Sequence, residues 1–262
     1  MTEPDVASSD PRNLETSITP DGSDYIVSGR KWWSTGAVSK DSKVAIVMGV
    51  TEPDAPPKDR YSMILVPSDA EGVEIVRDLP VFGYRHRGGH AEVAYHDVRV
   101  PATNLIAGPG QGYMIAQARL GPGRVHHTMR AIGQAERALS MMVERAKSRT
   151  AFGSRISEKG VVQEWIAESR LRIDQVRLLV LRAAWLIDTE GNRAARHEVS
   201  AIKVVAPRMA LWVINKAIQV HGGMGVSDDT PLAAMWANMR TLQIADGPDE
   251  VHNMVLARRE LR

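Results

Sequence analysis

Apolar positions follow two different rhythms along the chain. In the first part they fall in short, β-branched runs: Tyr25-Ile26-Val27, Val44-Ala45-Ile46-Val47-Met48, Ser62-Met63-Ile64-Leu65-Val66 and Val73-Glu74-Ile75-Val76. Asp/Gly/Pro clusters at Pro20-Asp21-Gly22, Glu52 to Pro57 and Glu71-Gly72 separate them, as turns separate strands. A further run, Ala91-Glu92-Val93-Ala94-Tyr95, leads into Val98-Arg99-Val100-Pro101. After Gly108-Pro109-Gly110 the rhythm changes. Positions 162, 166, 169, 173, 176, 180, 183 and 187 hold Val, Ile, Ser, Ile, Val, Val, Ala and Ile, the 3–4 spacing of a long amphipathic helix. A helix over 111–150 precedes it, with Ile132, Ala135, Leu139 and Met142 on one face, and a third over Glu198 to Val220 is bent by Pro207. Thr230 or Asp229 caps a fourth, and Asp249 starts a short last one bearing Val251, Met254 and Val255.

These rhythms predict an α+β chain: a small antiparallel β-barrel or sandwich domain over 1–109, then an antiparallel four-helix-bundle domain over 110–262. Strands without intervening helices do not indicate a parallel nucleotide-binding sheet. Composition supports the division. Residues 1–109 carry 11 Lys+Arg against 16 Asp+Glu and ten prolines; residues 110–262 carry 22 against 15 and four prolines. A 44% hydrophobic and 24% charged chain of 262 residues is ordinary for a folded protein. The absence of Cys excludes disulfides, thiolate nucleophiles and cysteine-ligated zinc or iron–sulfur sites. No apolar run reaches membrane-spanning length and no cationic, apolar-cored leader opens the sequence. The expected compartment is therefore cytoplasmic, or mitochondrial or peroxisomal if a eukaryotic start is missing.

Candidate chemistry is sparse. Gly222-Gly223-Met224-Gly225 follows a helix rather than a strand, and Gly108-Pro109-Gly110-Gln111-Gly112 lacks Gly-Lys-Ser/Thr, so neither is a dinucleotide or Walker signature. Both can be turn and cap glycines, or can bring backbone N–H groups close to a phosphate. His126 and His127 are adjacent on a helix, about 100° apart, and cannot easily face one ion. His86 and His90 lack a third partner, so no metal site is expected. Trp32-Trp33 sits where one ring can be core and the other presented to a planar ligand. With no basic run around it and 5% aromatics, nucleic acid is not indicated. In Ile244-Ala245-Asp246-Gly247-Pro248-Asp249-Glu250, Asp249 and Glu250 suit a helix N-terminus. Asp246 is left over, either an ordinary cap or a partly desolvated general base.

Several ordered motifs carry a resemblance: Met1-Thr2-Glu3-Pro4, Gly29-Arg30-Lys31-Trp32-Trp33-Ser34-Thr35-Gly36, Val98-Arg99-Val100-Pro101, Arg149-Thr150-Ala151-Phe152-Gly153, Gln219-Val220-His221-Gly222-Gly223-Met224-Gly225 and Asp246-Gly247. In order and spacing they resemble the acyl-CoA dehydrogenases over essentially the whole chain. RLGPGR, WIAESR and ADGPDEVH look most like the branch containing human family members ten and eleven. The resemblance implies FAD as cofactor and an acyl-CoA substrate. It implies removal of an α-proton and a β-hydride to give trans-2-enoyl-CoA in fatty-acid or related acyl catabolism, with an electron-transfer flavoprotein as acceptor.

The same resemblance implies roles. Thr2, Trp33, Ser34 and Thr35 match residues that hold the isoalloxazine, Trp33 as its aromatic wall. Arg149 and Phe152 match residues reaching the FAD of a neighbouring subunit. Gln219, Gly222 and Gly223 match those against its AMP portion, and Glu250 is a further cofactor contact. Ser9, Gly121, Arg124 and Gly247 are expected at the substrate. Asp246 matches the catalytic base, Glu in most of the family. Burial beneath flavin and substrate is expected to raise its pKa, and hydrogen bonds to the thioester oxygen, from the base's own N–H among others, to stabilise the enolate.

The sequence also departs from the family pattern. The stretch after Thr2-Glu3-Pro4 is longer by one residue (Asp5 to Ser9). Gly160 stands in place of a Gln, Ala234 in place of a basic residue and Pro248 in place of a Thr. Gly123 occupies the position that carries the base in some relatives. Family members have an N-terminal helical domain ahead of the first motif, which this sequence is expected to lack. Three functional classes follow: a dehydrogenase; a truncated or non-catalytic flavin- or CoA-binding subunit whose partner supplies that domain in a hetero-oligomer; or a helical assembly protein without flavin. The apolar helical faces predict a homodimer or homotetramer.

Overall fold

The computed structural model describes residues 1–262 except His86 and Arg87, so the expectation placed on His86 lies outside the described residues. The chain divides into two compact units, 1–119 and 120–262.

In the first unit six strands form one sheet in the order β4-β3-β1-β2-β6-β5. They are β1 (Ser17–Asp21), β2 (Asp24–Thr35), β3 (Val44–Val50), β4 (Tyr61–Pro67), β5 (Val73–Asp78) and β6 (His90–Pro101). Every run of the sequence pattern became a strand, and the two runs 91–95 and 98–101 are one continuous β6. The unforeseen strand is β1. It buries only Ile18 deeply and contains Pro20, so it carries little alternation. It pairs antiparallel with β2 but meets β3 in parallel at Ser17 and Val50, which makes the sheet mixed rather than purely antiparallel. Ile18, Val27, Val47, Ile64, Val66, Val93 and Val98 pack as one core. A second cluster gathers Leu14, Met48, Tyr61, Met63 and Ala116.

The second rhythm is helical. α1 spans Gly112–Ser148 with Pro122 inside it, and a small hairpin of β7 (Thr150–Ala151) and β8 (Ser154–Arg155) follows. Then come α2 (Gly160–Glu190), α3 (Arg196–His221), the short α4 (Gly223–Val226), α5 (Leu232–Leu242) and α6 (Asp249–Glu260). Of the predicted stripe on α2, Val162, Ser169, Ile173, Val176, Val180 and Ala183 are buried. Ser169 is tolerated there because its hydroxyl donates 2.6 Å back to Trp165 O. Ile132, Ala135, Leu139 and Met142 of α1 join that core with Ile202, Ala206, Val213 and Ile214 of α3. α3 runs on through the buried Pro207. The residue preceding α5 is Pro231, and Thr230 Oγ1 still accepts from Leu232 N at 3.4 Å. Asp249 opens α6, as the charge pattern predicted.

Candidate active site

In the first unit the family-matched residues lie along one end of β2. The register against β6 slips between Lys31 and Ser34, a bulge that places Trp33 at φ 54°. A left-handed backbone is costly for a bulky residue, by about 1–2 kcal/mol. Strict strand alternation therefore does not set the direction of this indole. Trp33 is 40% exposed, its ring 5.6 Å from that of His90. Ser34 pairs with Ala91, and Thr35 Oγ1 lies 3.0 Å from His90 Nδ1. Thr2 binds this segment as an added strand would. Its carbonyl accepts from Trp32 N at 3.1 Å, and its hydroxyl donates to Trp32 O at 2.6 Å. Beneath it the buried Lys31 ammonium donates to Glu3 at 2.6 Å, and the same carboxylate accepts from the amides of Glu15 and Thr16. Ser9 is exposed.

In the second unit the turn between α5 and α6 carries Asp246 at φ 55° and Gly247 at φ 98°. Three elements fix that turn. From α1, Arg124 donates through Nε (3.1 Å) and Nη2 (3.0 Å) to Asp246 O. From α3, the buried Lys203 ammonium donates to Leu242 O (2.5 Å) and Gly247 O (3.2 Å). From α6, His252 Nε2 lies 3.3 Å from Asp246 O. Asp249 anchors the far side, accepting from Arg208 Nε at 2.9 Å and Gln243 Nε2 at 3.3 Å. The N–H groups of Asp246 and Gly247 find no acceptor among the described residues. A Cβ at residue 247 would meet His252 Nε2 at 3.0 Å, so the positive φ and the close ring both favour glycine there.

The Asp246 carboxylate itself accepts from His127 Nε2 at 3.1 Å, and both side chains are about one-third exposed or less. That bond holds the carboxyl below its ordinary pKa, against the opposing pull of desolvation. The upward shift expected beneath flavin and substrate belongs to the occupied site; in the chain itself a hydrogen-bond donor faces the carboxylate and outweighs desolvation. The neighbouring basic groups are lowered too, but by desolvation, which disfavours their charged forms. Burial lowers Lys203 to about 8 and His252 to about 4. His252 is thus neutral at physiological pH, and its Nε2–H tautomer is the one that can donate to Asp246 O.

The remaining predicted residues lie elsewhere in the second unit. Phe152 and Gly153 form the tip of the β7–β8 hairpin with φ 52° and 80°, the two positive values of a type I′ turn. The phenyl ring is 99% exposed, a strained and unburied aromatic beside the exposed Arg149. Gln219, Gly222 and Gly223 are exposed at the end of α3, where Gly222 takes φ 64° and donates to Ile218 O and Gln219 O. A Cβ at either of those glycines would meet nothing within 4 Å, whereas at Gly225 it would strike Ile218 O at 2.5 Å. Gly225 is thus a packing glycine; the other two leave backbone open. Gly121 sits one turn before Arg124 on α1, and Glu250 is exposed on α6.

From the sequence, His127 is weighed only as a metal ligand, and Lys203, Arg208 and His252 are not singled out. Lys203 was the most detectable, a lone cation among Val199, Ile202, Val204 and Ala206 on the inward face of α3. His127 follows Arg124 by three residues, which places both on one helix face. Among the described residues no group of His, Asp and Glu could hold a metal ion, and no helix is long and apolar enough to cross a membrane.

The chain matches the models of the acyl-CoA dehydrogenase middle domain over residues 1–98 and of the acyl-CoA dehydrogenase C-terminal domain over residues 110–261. It is 60% identical to the probable acyl-CoA dehydrogenase FadE2 of Mycobacterium tuberculosis, over all of this chain and 64% of that protein. Acyl-CoA dehydrogenase family member 11 of Rattus norvegicus is 54% identical over 100% of this chain and 34% of its own length. Among solved structures, a candidate acyl-CoA dehydrogenase from Mycobacterium abscessus superposes with a TM-score of 0.97 at 54% identity, covering 100% of this chain and 64% of that one. Butyryl-CoA dehydrogenase of Megasphaera elsdenii gives 0.87 at 27% identity, over 100% and 67%. The chain spans about two-thirds or less of the curated relatives it matches. By two domain models that together span nearly its whole length, and by the fold they share, the chain belongs to the acyl-CoA dehydrogenase family.

Proposed function

We propose that this chain is the flavin- and thioester-binding part of an FAD-dependent acyl-CoA dehydrogenase, which converts an acyl-CoA to its trans-2-enoyl-CoA, with Asp246 as the base. The observation carrying this reading is the Asp246 turn: an ionised, partly buried carboxylate on a backbone fixed by cations and a neutral histidine from three helices. The α-proton of the thioester passes to the Asp246 carboxylate. The unpaired N–H of the same residue is available to the thioester oxygen as charge develops on it, the usual way a weak carbon acid is helped. Arg124 commits Nε and Nη2 to the turn and keeps Nη1 for substrate; Gly121, Gly247 and Ser9 are the other proposed substrate contacts.

The residues present fit FAD. Gly222 and Gly223 expose backbone with no Cβ in the way, and Arg149 offers an exposed guanidinium, a donor set suited to a pyrophosphate. Trp33 presents an indole at the bulge, with Ser34, Thr35 and Thr2 beside it along the strand. Gln219, Phe152 and Glu250 complete the proposed cofactor set. When bound, FAD supplies the acceptor for the β-hydride. A homodimer or homotetramer is supported by the exposed Phe152 and by Leu171, Leu178, Leu181 and Trp185, four large apolar side chains left open on α2. An electron-transfer flavoprotein is the proposed acceptor.

The test is Asp246→Asn. The variant retains the yellow flavin band and fails to bleach with saturated acyl-CoA. Bleaching at the original rate would move the base elsewhere.

A further inference from the structure

Asp246 is a shorter base than the glutamate it replaces, and a carboxylate misplaced by about 1 Å can lose roughly 10²-fold in rate. Something must hold the short side chain. Arg124, Lys203 and His252 all act on the backbone carbonyls of the turn, not on the carboxylate. The described side chain that bonds the carboxylate is His127, with Nε2 3.1 Å from Oδ2. His127 is carried on α1, three residues after Arg124, so one helix face fixes both the backbone and the side chain of Asp246.

We propose that His127 is the positioning residue of the base: its Nε2–H locks one rotamer of Asp246 and leaves Oδ1 to meet the α-proton. This rests on the reading of Asp246 as base. The arrangement resembles a catalytic triad turned round, an imidazole orienting a carboxylate rather than the reverse. His127 takes no proton in the reaction; it must only remain a donor. Besides His127, Arg124 of α1 and Lys203 of α3 act on the carboxylate; His126 of α1 packs its ring against that of His127, and on α6 His252 faces the Asp246 carbonyl while Asp249 acts on Lys203 and His252. Arg196 of α3 acts on Arg124. Those groups are common to all the variants below, so a difference between variants reports His127.

Two measurements on the full chain test this. The first is carbon-13 NMR titration of the Asp246 carboxyl, assigned with Asp246→Asn and read with and without FAD. The second is the pH dependence of flavin bleaching by short- and long-chain saturated acyl-CoA. In His127→Phe, which keeps ring bulk and removes the donor, the Asp246 titration moves up and the acid limb of the bleaching rate moves with it. The plateau rate falls by about tenfold with KM little changed, the pattern of lost orientation rather than lost binding. His127→Gln, which keeps a donor, recovers most of both. If the variant loses flavin, the titration still reads the contact. A titration and acid limb unmoved in His127→Phe overturn the role of His127 and leave Asp246 as base; bleaching by Asp246→Asn overturns the base itself.

Discussion

Each unit of this chain buries one lysine deeply, and the two are satisfied in opposite ways. In the first unit Lys31 faces a carboxylate, Glu3, which also accepts two backbone amides and so ties the Thr2 segment to β2. In the second, the Lys203 ammonium donates to carbonyl oxygens, those of Leu242 and Gly247, and holds the Asp246 turn. A carboxylate neutralises an ammonium and a carbonyl only solvates it. Desolvation lowers both lysines from their ordinary value, but Lys31 has a partner that opposes the shift directly, whereas the nearest carboxylates to Lys203, Asp249 and Asp246, act on it through space. The first arrangement is a fixed staple. The second is a staple whose charge can be removed in a mildly alkaline medium, placed under the proposed catalytic residue.

The contrast can be broken most sharply at Lys31. Lys31→Met strands a buried carboxylate and is expected to cost about 3–5 kcal/mol in chemical denaturation, whereas adding Glu3→Gln recovers most of the loss. Equal stability of single and double variants would deny that the pair is the staple. The Lys203 side is sharpened by pH. Its pKa is about 8 when folded, against about 10.4 for a free lysine. Between those values the unfolded chain holds a proton the folded one has released, so stability rises with pH across that window, by on the order of 3 kcal/mol. Lys203→Met, itself costing about 1–3 kcal/mol near neutrality for two orphaned carbonyls, should lack that rise relative to the parent. The smallest effect concerns the hairpin. Phe152→Asn relieves a left-handed backbone at a side chain that buries nothing, and should raise stability by about 0.5–1 kcal/mol while weakening flavin retention and self-association. A gain in stability with flavin and assembly intact would remove Phe152 from the proposed site.

Local patterns were legible where one periodicity decided the matter. The β-branched runs became β2 to β6, and six of the eight positions of the 3–4 stripe of α2 are buried, because each side chain there needs only to know which face is inward. β1 was not legible: Ser17, Thr19, Pro20 and Asp21 carry almost no apolar signal, and what makes the segment a strand is pairing with β2 and β3. The orientation of Trp33 was not legible either, since a bulge overrides alternation. Of the proposed site, Asp246 was legible as a cap or a base, and only the resemblance pointed to the base. Its neighbours were not legible, because 119 positions separate it from His127 along the chain, and no local rule links an α1 histidine to a turn after α5.

By itself, the sequence determined two unlike parts, their element types, the inward faces of α1 and α2 and, through its ordered motifs, the family; on α6 the buried residues are Asp249 and His252 rather than the apolar Val251, Met254 and Val255. Those features depend on spacing along the chain and on residue chemistry. Only tertiary structure decided the electrostatic state of the Asp246 turn, since a carboxylate in a turn can be pushed up by burial or down by a partner. The sign is set by a 3.1 Å contact to His127 that exists only once α1 is laid beside that turn, a long-range placement that periodicity does not encode.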